Sequence, residues 1–556
     1  MLEGCKFWPE EYARRYREAG YWEGLTLWDM MARTVARLPD KTALVAGEVR
    51  QTYRDLDRIT ARLASALLDR GIRPLDRVLL QLPNIPEFVH YYLALVRIGA
   101  VPVLALRAHR HTEVRHFIRA SGAVAYVIPD TVNKFDYRAM AVEMQQEFPD
   151  LRSVIVVGEP AAGQAAHADL MAEPRSDGEI ARRLSGVVVE AEEVATMLLS
   201  GGTTSLSKLI PRTHQDYVLN ARLCGAAAGF DEASVFMAIL PLGHNYNLAS
   251  PGMLGAFYYG GTVVLAPSTD TAEIFALVEK EKVTVIAAVV PLIATWLNST
   301  DPDRYDFSSL KVVQNGGARL APELRQRLRD RFGCIPQEIY GTAEGLINMT
   351  RLDAPDDLLL HSSGRPVCDA DEIKVVDDLG KEVADGETGE LLTRGPYTIR
   401  AYYNAAEKNA EAFTEDGFYR MGDIVRKTGR DIYTEGRRKD LINRGGEKIS
   451  CEEVENLIFA HPAVKAVTLV AMPDPLFGER ACAFVIPKEN QSLDFEGLVA
   501  FLKQQHIASF KLPERLEVVA EFPLSPVGKI LKRQLRDVIA AKLEQERTQR
   551  ERFWDR

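Results

Sequence analysis

The sequence predicts an α/β fold, with a large N-terminal part of mainly parallel, helix-covered sheets and a small, mobile α+β C-terminal domain. Between about residue 40 and residue 345, short apolar runs rich in β-branched residues alternate with segments of helical period. That is the signature of strands joined by crossover helices and buried on both faces. After about residue 370 the pattern changes to short strands separated by turn residues, and beyond Asp440 a smaller set of helices and strands follows. Between them, the segment GRRKDLINRGGEKIS at 436–450 is dense in charge and glycine, which suits a hinge as well as an ordinary linker. The expected division is 1–439 and 440–556.

Taken in order, strands are expected at Arg77 to Leu82, Val101 to Leu106, Ala123 to Ile128, Ser153 to Val157, Val235 to Leu240, Thr262 to Ala266, Val283 to Val290 and Lys311 to Gln314. Helices are expected at Tyr53 to Arg70, Glu87 to Ile98, Thr112 to Ser121, Gln215 to Ala228, Thr271 to Glu279 and Ala321 to Phe332. The stretch Glu159 to Ser185, rich in Ala, Gly, Asp and Pro, reads as a surface connection. Further along, Glu372 to Val376, Gly389 to Thr393 and Asp431 to Thr434 read as short strands. The last part reads as helix Cys451 to Ala460, strands Ala466 to Ala471 and Ala481 to Ile486, helix Phe495 to Gln505 and a final helix from Lys529. In open α/β sheets, ligands bind at the carboxyl ends of the strands, so the loops there are the first places to look.

Composition excludes several classes. With 46% hydrophobic and 26% charged residues, the 556-residue chain is of ordinary globular type. Its longest apolar stretch, Val283 to Leu297, is interrupted by Pro291 and falls short of the ~18 residues a membrane span needs. The opening MLEGCKFWPEEYARRYREAG lacks the uninterrupted apolar core of a secretory signal. Six cysteines form no C-x-x-C pair, which suits a reduced, cytoplasmic protein. A net charge of −10 offers no general attraction to nucleic acid or anionic lipid. Arg107, His109, Arg110 and His111 read as a solvated loop, since no carboxylate or cysteine completes a ligand set.

The apolar run Val194 to Leu199 leads into SGGTTSLSK, Ser200 to Lys208. Gly201 and Gly202 let the backbone expose N–H groups, Ser200, Thr203 and Thr204 bring hydroxyls, and Lys208 adds charge. Such a loop suits a polyphosphate; a polar turn between strand and helix is the alternative. It is not a Walker loop, because Ser207 precedes Lys208 and Leu209 follows.

Downstream lie YGTAEG at Tyr340 to Gly345, YRMGD at Tyr419 to Asp423, GRRKD at Gly436 to Asp440 and PLSPVGK at Pro523 to Lys529. In this order and at these separations the motifs resemble those of the adenylate-forming superfamily of acyl-CoA synthetases, luciferases and peptide-synthetase adenylation domains. Within it, LLSGGTTSLSKLIPRTH (198–214) and LGHNYNLASPG (242–252) are most similar to stand-alone aryl-acid adenylating enzymes of siderophore assembly, which activate 2,3-dihydroxybenzoate or salicylate. The resemblance implies the small distorted barrel of the family within the N-terminal part, ATP and Mg²⁺ as cofactors, and aryl-AMP as intermediate.

It also implies roles. Lys529 corresponds to the lysine that bridges substrate carboxylate and nucleotide, and Glu344 to the Mg²⁺ ligand, with a helix-capping glutamate as the alternative. Thr342, with Thr203 and Thr204, matches phosphate-contacting hydroxyls; Asp423 matches the ribose acceptor, with Arg438 beside it. Gly316, Gly317, Ala318, Tyr340 and Gly341 resemble the adenine pocket, although Tyr340 could equally be core. Asn245 resembles the residue that recognises carboxylate and 2-hydroxyl, and Tyr246, Ser250, Ala318, Ile339 and Ile347 line the ring site. Ser250 points to 2,3-dihydroxybenzoate, whereas Ile339 and Ile347 stand where acceptors of the 3-hydroxyl commonly have valine. For the second half-reaction, Asp440 matches the hinge about which Lys448 replaces Lys529, and His244 lies beside the thiol tunnel. The chain carries no added carrier domain, so the thiol is expected from a phosphopantetheinylated aryl carrier protein in trans or from CoA. An aryl-CoA ligase and a catalytically weak scaffold remain the competing readings. The phosphate loop departs from the usual TTGTPK at Ser205, Leu206 and Ser207, with Ser205 putting a side chain where glycine usually stands.

Overall fold

The computed structural model describes every residue except 1, 173, 201–206, 300–303, 438–439, 445–446, 506, 526–527 and 555–556; for 437, 448 and 548–554 it describes backbone alone. Two large sheets form the N-terminal part. In the nine-stranded sheet the spatial order is Arg365–Pro366, Gly345–Met349, Ile335–Thr342, Val312–Gly316, Val285–Ala288, Val235–Ala238, Thr262–Leu265, Thr42–Ala46 and Val49–Thr52. The six strands from Ile335–Thr342 to Thr42–Ala46 are parallel to their neighbours. The seven-stranded sheet runs Leu209–Thr213, Val194–Leu199, Val101–Leu104, Arg77–Leu80, Ala125–Pro129, Ser153–Val157 and Ala165–Ala166.

Local chemistry explains the elements. Strands Val101–Leu104 and Val285–Ala288 are buried at every position, as parallel strands covered on both faces must be. Helix Tyr53–Asp69 starts at a capping box in which Thr52 and Asp55 satisfy each other's backbone donors. It then buries Leu56, Thr60, Leu63 and Leu67, three or four residues apart, on one face. Helix His214–Ala227 has the same device at Thr213 and Asp216.

Three sequence expectations are corrected. The run Val283 to Val290 is a strand only over Val285–Ala288; Pro291, which looked like an interruption, opens helix Val290–Asn298, where a missing N–H costs nothing. The connection Glu159 to Ser185 contains helices His167–Ala172 and Asp177–Leu184, the second started by the Ser176–Glu179 capping box. The final helix spans Lys532–Trp554 and so begins after Lys529.

Strands Glu372–Val376, Thr388–Arg394, Tyr419–Thr428 and Asp431–Arg437 form a four-stranded antiparallel sheet in chain order. The C-terminal domain is α+β. Val464–Asp474 and Gly478–Pro487 form a long hairpin, and Arg515–Val518 pairs parallel to the latter. One face buries Val454, Ile458, Leu469, Val485, Leu498 and Leu502; the other packs Phe484, Leu535 and Ile539 under the final helix. All six cysteines are free. Among the described residues no helix is long and apolar enough to cross a membrane.

Candidate active site

Four neighbouring parallel strands, Val235–Ala238, Val285–Ala288, Val312–Gly316 and Ile335–Thr342, send their carboxyl ends toward the segments singled out by sequence. The turn after Val312–Gly316 is held rigidly. Asn315 Nδ2 donates to the Ala318 carbonyl at 2.7 Å and to Glu338, whose Oε1 also accepts from the Leu320 N–H at 3.2 Å. Arg325 pairs with Glu338 at 3.1 Å, both buried. Burial pushes the Glu338 carboxyl up, and Arg325 opposes that. Glycine is required here by close approach. A β-carbon on Gly316 would lie 2.9 Å from the Tyr246 ring, and one on Gly317, where φ is +87°, would lie 3.1 Å from Lys529 Cε.

Lys529 therefore reaches this turn from the C-terminal domain. Its backbone closes a tight turn with Ser525, N to Oγ at 3.0 Å and carbonyl accepting from Ser525 N at 2.7 Å. Gly528 lies against Val289, at the end of the neighbouring parallel strand. His244 caps helix Asn245–Ala249, and its Nδ1 accepts from the Tyr246 N–H at 3.3 Å. Burial first, and then the Lys529 charge, push its imidazole down to about 3. His244 is thus neutral with its proton on Nε2. Asp440 pairs with Arg536 of the final helix, and its carbonyl accepts from the Cys451 thiol at 3.0 Å.

The Tyr340 hydroxyl donates to Asp423 at 2.9 Å, while its half-buried ring packs against the main core. Glu344 is buried and its Oε1 accepts from the Tyr402 hydroxyl at 2.7 Å. The Tyr402 and Tyr419 hydroxyls are 3.2 Å apart, and Lys208 Nζ stands 4.4 Å from the Tyr402 ring centroid. Burial, then the Glu344 charge, hold the Tyr402 phenol protonated. Thr342 Oγ1 donates to the Gly345 carbonyl at 3.0 Å. A single buried carboxylate oxygen donor fits Mg²⁺, which takes few protein ligands and keeps substrate phosphate oxygens. Among the described residues no group of three His, Cys, Asp or Glu could hold a metal by itself.

The loop expected to meet phosphate is closed at its base by Ser200 N to the Lys208 carbonyl at 3.0 Å and Lys208 N to Ser200 Oγ at 2.9 Å. His116 Nε2 bonds the Ser207 carbonyl at 2.8 Å. Gly201, Gly202, Thr203 and Thr204 lie outside the described residues, as do Arg438 and the side chain of Lys448.

Of the residues expected around the ring, Asn245 and Ser250 are buried and joined, Nδ2 to Oγ, at 3.2 Å. The Tyr217 hydroxyl donates to Asn245 Oδ1 at 2.6 Å. Ile339 and Ile347 are buried; the Ile347 N–H donates to the Tyr397 hydroxyl at 3.2 Å, which donates in turn to Asp371 at 2.6 Å. A fully buried pair, Arg212 and Asp216 at 2.8 Å, binds the elements together: Arg212 also donates to the carbonyls of Ala343, at 2.9 Å, and Tyr397, at 3.0 Å. Sequence reasoning missed Tyr217, Asn220, Arg212 and Tyr402, and quoted Tyr419 only as the start of YRMGD, without a role. Only Thr213-x-x-Asp216, a capping box, left a local signal.

The AMP-binding enzyme family matches residues 31–403, and the AMP-binding enzyme C-terminal domain matches residues 453–529. The chain is 47% identical to the 2,3-dihydroxybenzoate-AMP ligase of Bacillus subtilis (strain 168), over 98% of this chain and 99% of that protein. It is 46% identical to a salicylyl-CoA synthase / salicylate adenylyltransferase of a Streptomyces species, over 97% and 98%. Among solved structures, the apo structure of Mycobacterium smegmatis MbtA superposes with a TM-score of 0.73 at 38% identity, covering 96% of this chain and 98% of that one.

Proposed function

This chain belongs to the AMP-binding enzyme family of adenylate-forming proteins, an aryl-acid AMP ligase by kinship, and on that premise we propose how its residues divide the work. The substrate is 2,3-dihydroxybenzoate or salicylate. One carboxylate oxygen attacks the α-phosphorus of ATP, the bond to the bridging oxygen breaks, and aryl-AMP and pyrophosphate result. Two anions must approach each other, so a cation between them is the main requirement. Lys529, packed against Gly317 at the carboxyl ends of the parallel strands, is the observation that carries the reading. Its ammonium spans carboxylate and nucleotide oxygens.

Asn245 and Ser250 orient the ring and carboxylate, with Tyr246, Ala318, Ile339 and Ile347 around them. Asp423 accepts from the ribose once Tyr340 yields to nucleotide, Gly316 to Ala318 and Gly341 pass beside adenine, and Ser200, Thr342 and Lys208 face the phosphates. Glu344, oriented by Tyr402, would hold Mg²⁺, which when bound offsets phosphate charge. Asp440 marks the boundary between 1–439 and 440–556, and rotation about it would withdraw Lys529 and bring Lys448 in. The acyl group then passes to the phosphopantetheine thiol of an aryl carrier protein, with neutral His244 lining the approach. The naming of one relative as a CoA synthase keeps free CoA as the second reading.

The test is ATP–pyrophosphate exchange by pure protein with salicylate, 2,3-dihydroxybenzoate, benzoate, anthranilate and hydroxypicolinate, followed by thioester formation with holo-carrier or CoA. Exchange that depends on a 2-hydroxylated aryl acid is expected. Absence of exchange with every acid would overturn the reading, and thioester formed only with CoA would select the second.

A further inference from the structure

Asn220 lies on helix His214–Ala227 and is fully buried. Its Nδ2 donates to the Ala249 carbonyl at 2.7 Å and to Ser250 Oγ at 3.2 Å. A carbonyl only accepts, so the amide can stand only with its nitrogen toward Ser250, and both N–H bonds are used. The Ser250 oxygen also receives Asn245 Nδ2 at 3.2 Å, while the Tyr217 phenol holds the other end of that amide at 2.6 Å. A serine oxygen has two lone pairs, and two amide donors fill them. What Ser250 has left to offer is its O–H. Cys224, one turn beyond Asn220 on the same helix, could offer that O–H only sulfur, a weak acceptor. Oxygen or ring nitrogen on a substrate competes with it easily.

We propose that Asn220 is a specificity-determining positioning residue: by filling the acceptor capacity of Ser250 it makes the pocket present a hydrogen-bond donor, and so selects aryl acids whose facing ring position carries an acceptor. The inference rests on the aryl-acid reading above, in which Asn245 and Ser250 orient the ring and carboxylate, and adds that Ser250 faces the ring carbon next to the one bearing the 2-hydroxyl. A 3-hydroxyl satisfies this geometry, because it can give its own proton to the adjacent 2-oxygen and accept from Ser250. A 3-amino group of nearly the same size does not, since its nitrogen lone pair is delocalised into the ring and its N–H bonds meet an oxygen already filled.

The experiment is pyrophosphate exchange by the full chain with salicylate, 2,3-dihydroxybenzoate and 3-aminosalicylate, for wild type, Asn220→Leu and Asn220→Ala. Wild type should favour the 3-hydroxy over the 3-amino acid by about tenfold or more in kcat/KM, the scale of one unmatched buried donor. In the Asn220 variants that ratio should collapse toward unity, with salicylate, which has no group there, losing far less than 2,3-dihydroxybenzoate. Equal use of both acids by wild type, or an equal loss on all three acids in the variants, would overturn the proposal, the latter because it marks a purely structural role. If neither variant folds, Ser250→Ala decides: the advantage of 2,3-dihydroxybenzoate over salicylate should shrink, and its persistence would overturn the proposal. Exchange with no aryl acid at all would instead remove the reading on which the inference stands.

Discussion

Tyr402 touches charges of opposite sign. Its hydroxyl donates to Glu344 at 2.7 Å, while Lys208 Nζ stands 4.4 Å from its ring centroid. Tyr402→Phe keeps the ring and deletes the donor. A hydrogen bond to a charged group contributes about 1.5–3 kcal/mol, so exchange should fall about tenfold or more and need more Mg²⁺ for half-maximal rate, with the aryl-acid KM little changed. A magnesium titration checks this, and an unaltered magnesium requirement would contradict it. Asp371 offers a second test. Burial pushes its carboxyl up from 3.8 to about 7, partly opposed by the Tyr397 hydroxyl. Between those values the unfolded chain is ionised while the folded one keeps the proton, so this group lowers stability as pH rises and has no further effect above the folded value. Asp371→Asn should therefore gain melting temperature relative to wild type between pH 5 and pH 8. Parallel melting curves across that range would count against a protonated Asp371. Residues such as Tyr402 were illegible in the sequence because their partners are remote: Tyr402 and Glu344 are 58 positions apart, Tyr217 and Asn245 are 28.

The elements carrying the site are the ends of parallel strands; three of the four were legible as apolar runs, whereas Ile335–Thr342, with Pro336, Gln337 and Glu338 inside it, was not read as a strand. Ser153–Val157 was read to the residue, and helix Tyr53–Asp69 to within one. Helix Gly252–Tyr259 escaped notice because it is buried along most of its length and so has no polar stripe to set a period. The helix Val290–Asn298 was hidden because it continues the apolar run of the strand before it, with only a short break between Ala288 and Val290. The motif glycines were legible as a pattern, but their cause is spatial. Gly317 combines a left-handed φ of +87° with Lys529 Cε 3.1 Å from any β-carbon. Gly317→Ala should lower kcat for exchange by about tenfold or more by displacing Lys529, while the melting temperature falls only a few degrees, the scale of about 1 kcal/mol of backbone strain. Steady-state kinetics beside thermal unfolding separates the two effects; unchanged kcat would show that Lys529 does not need this approach.

At the scale of the whole molecule, the C-terminal domain and the large N-terminal part meet where Lys529 approaches Gly317. The C-terminal domain has its own core, yet its Lys529 is seated at the end of strands from the large sheet, and Asp440 is tied through Arg536 to the final helix. The order of motifs announced this partnership in the sequence, but only the fold brings residue 529 to residue 317. If the domain is to serve both half-reactions, it must let go of that seat once aryl-AMP exists. The most direct measurement is therefore a paired assay of Lys529→Ala: aryl-AMP formed from ATP and aryl acid in a single turnover, and transfer of preformed aryl-AMP to the thiol acceptor. Loss of the first by about a hundredfold or more, with the second largely retained, is the expected result. Equal loss of both, or unimpaired aryl-AMP formation, would contradict the account.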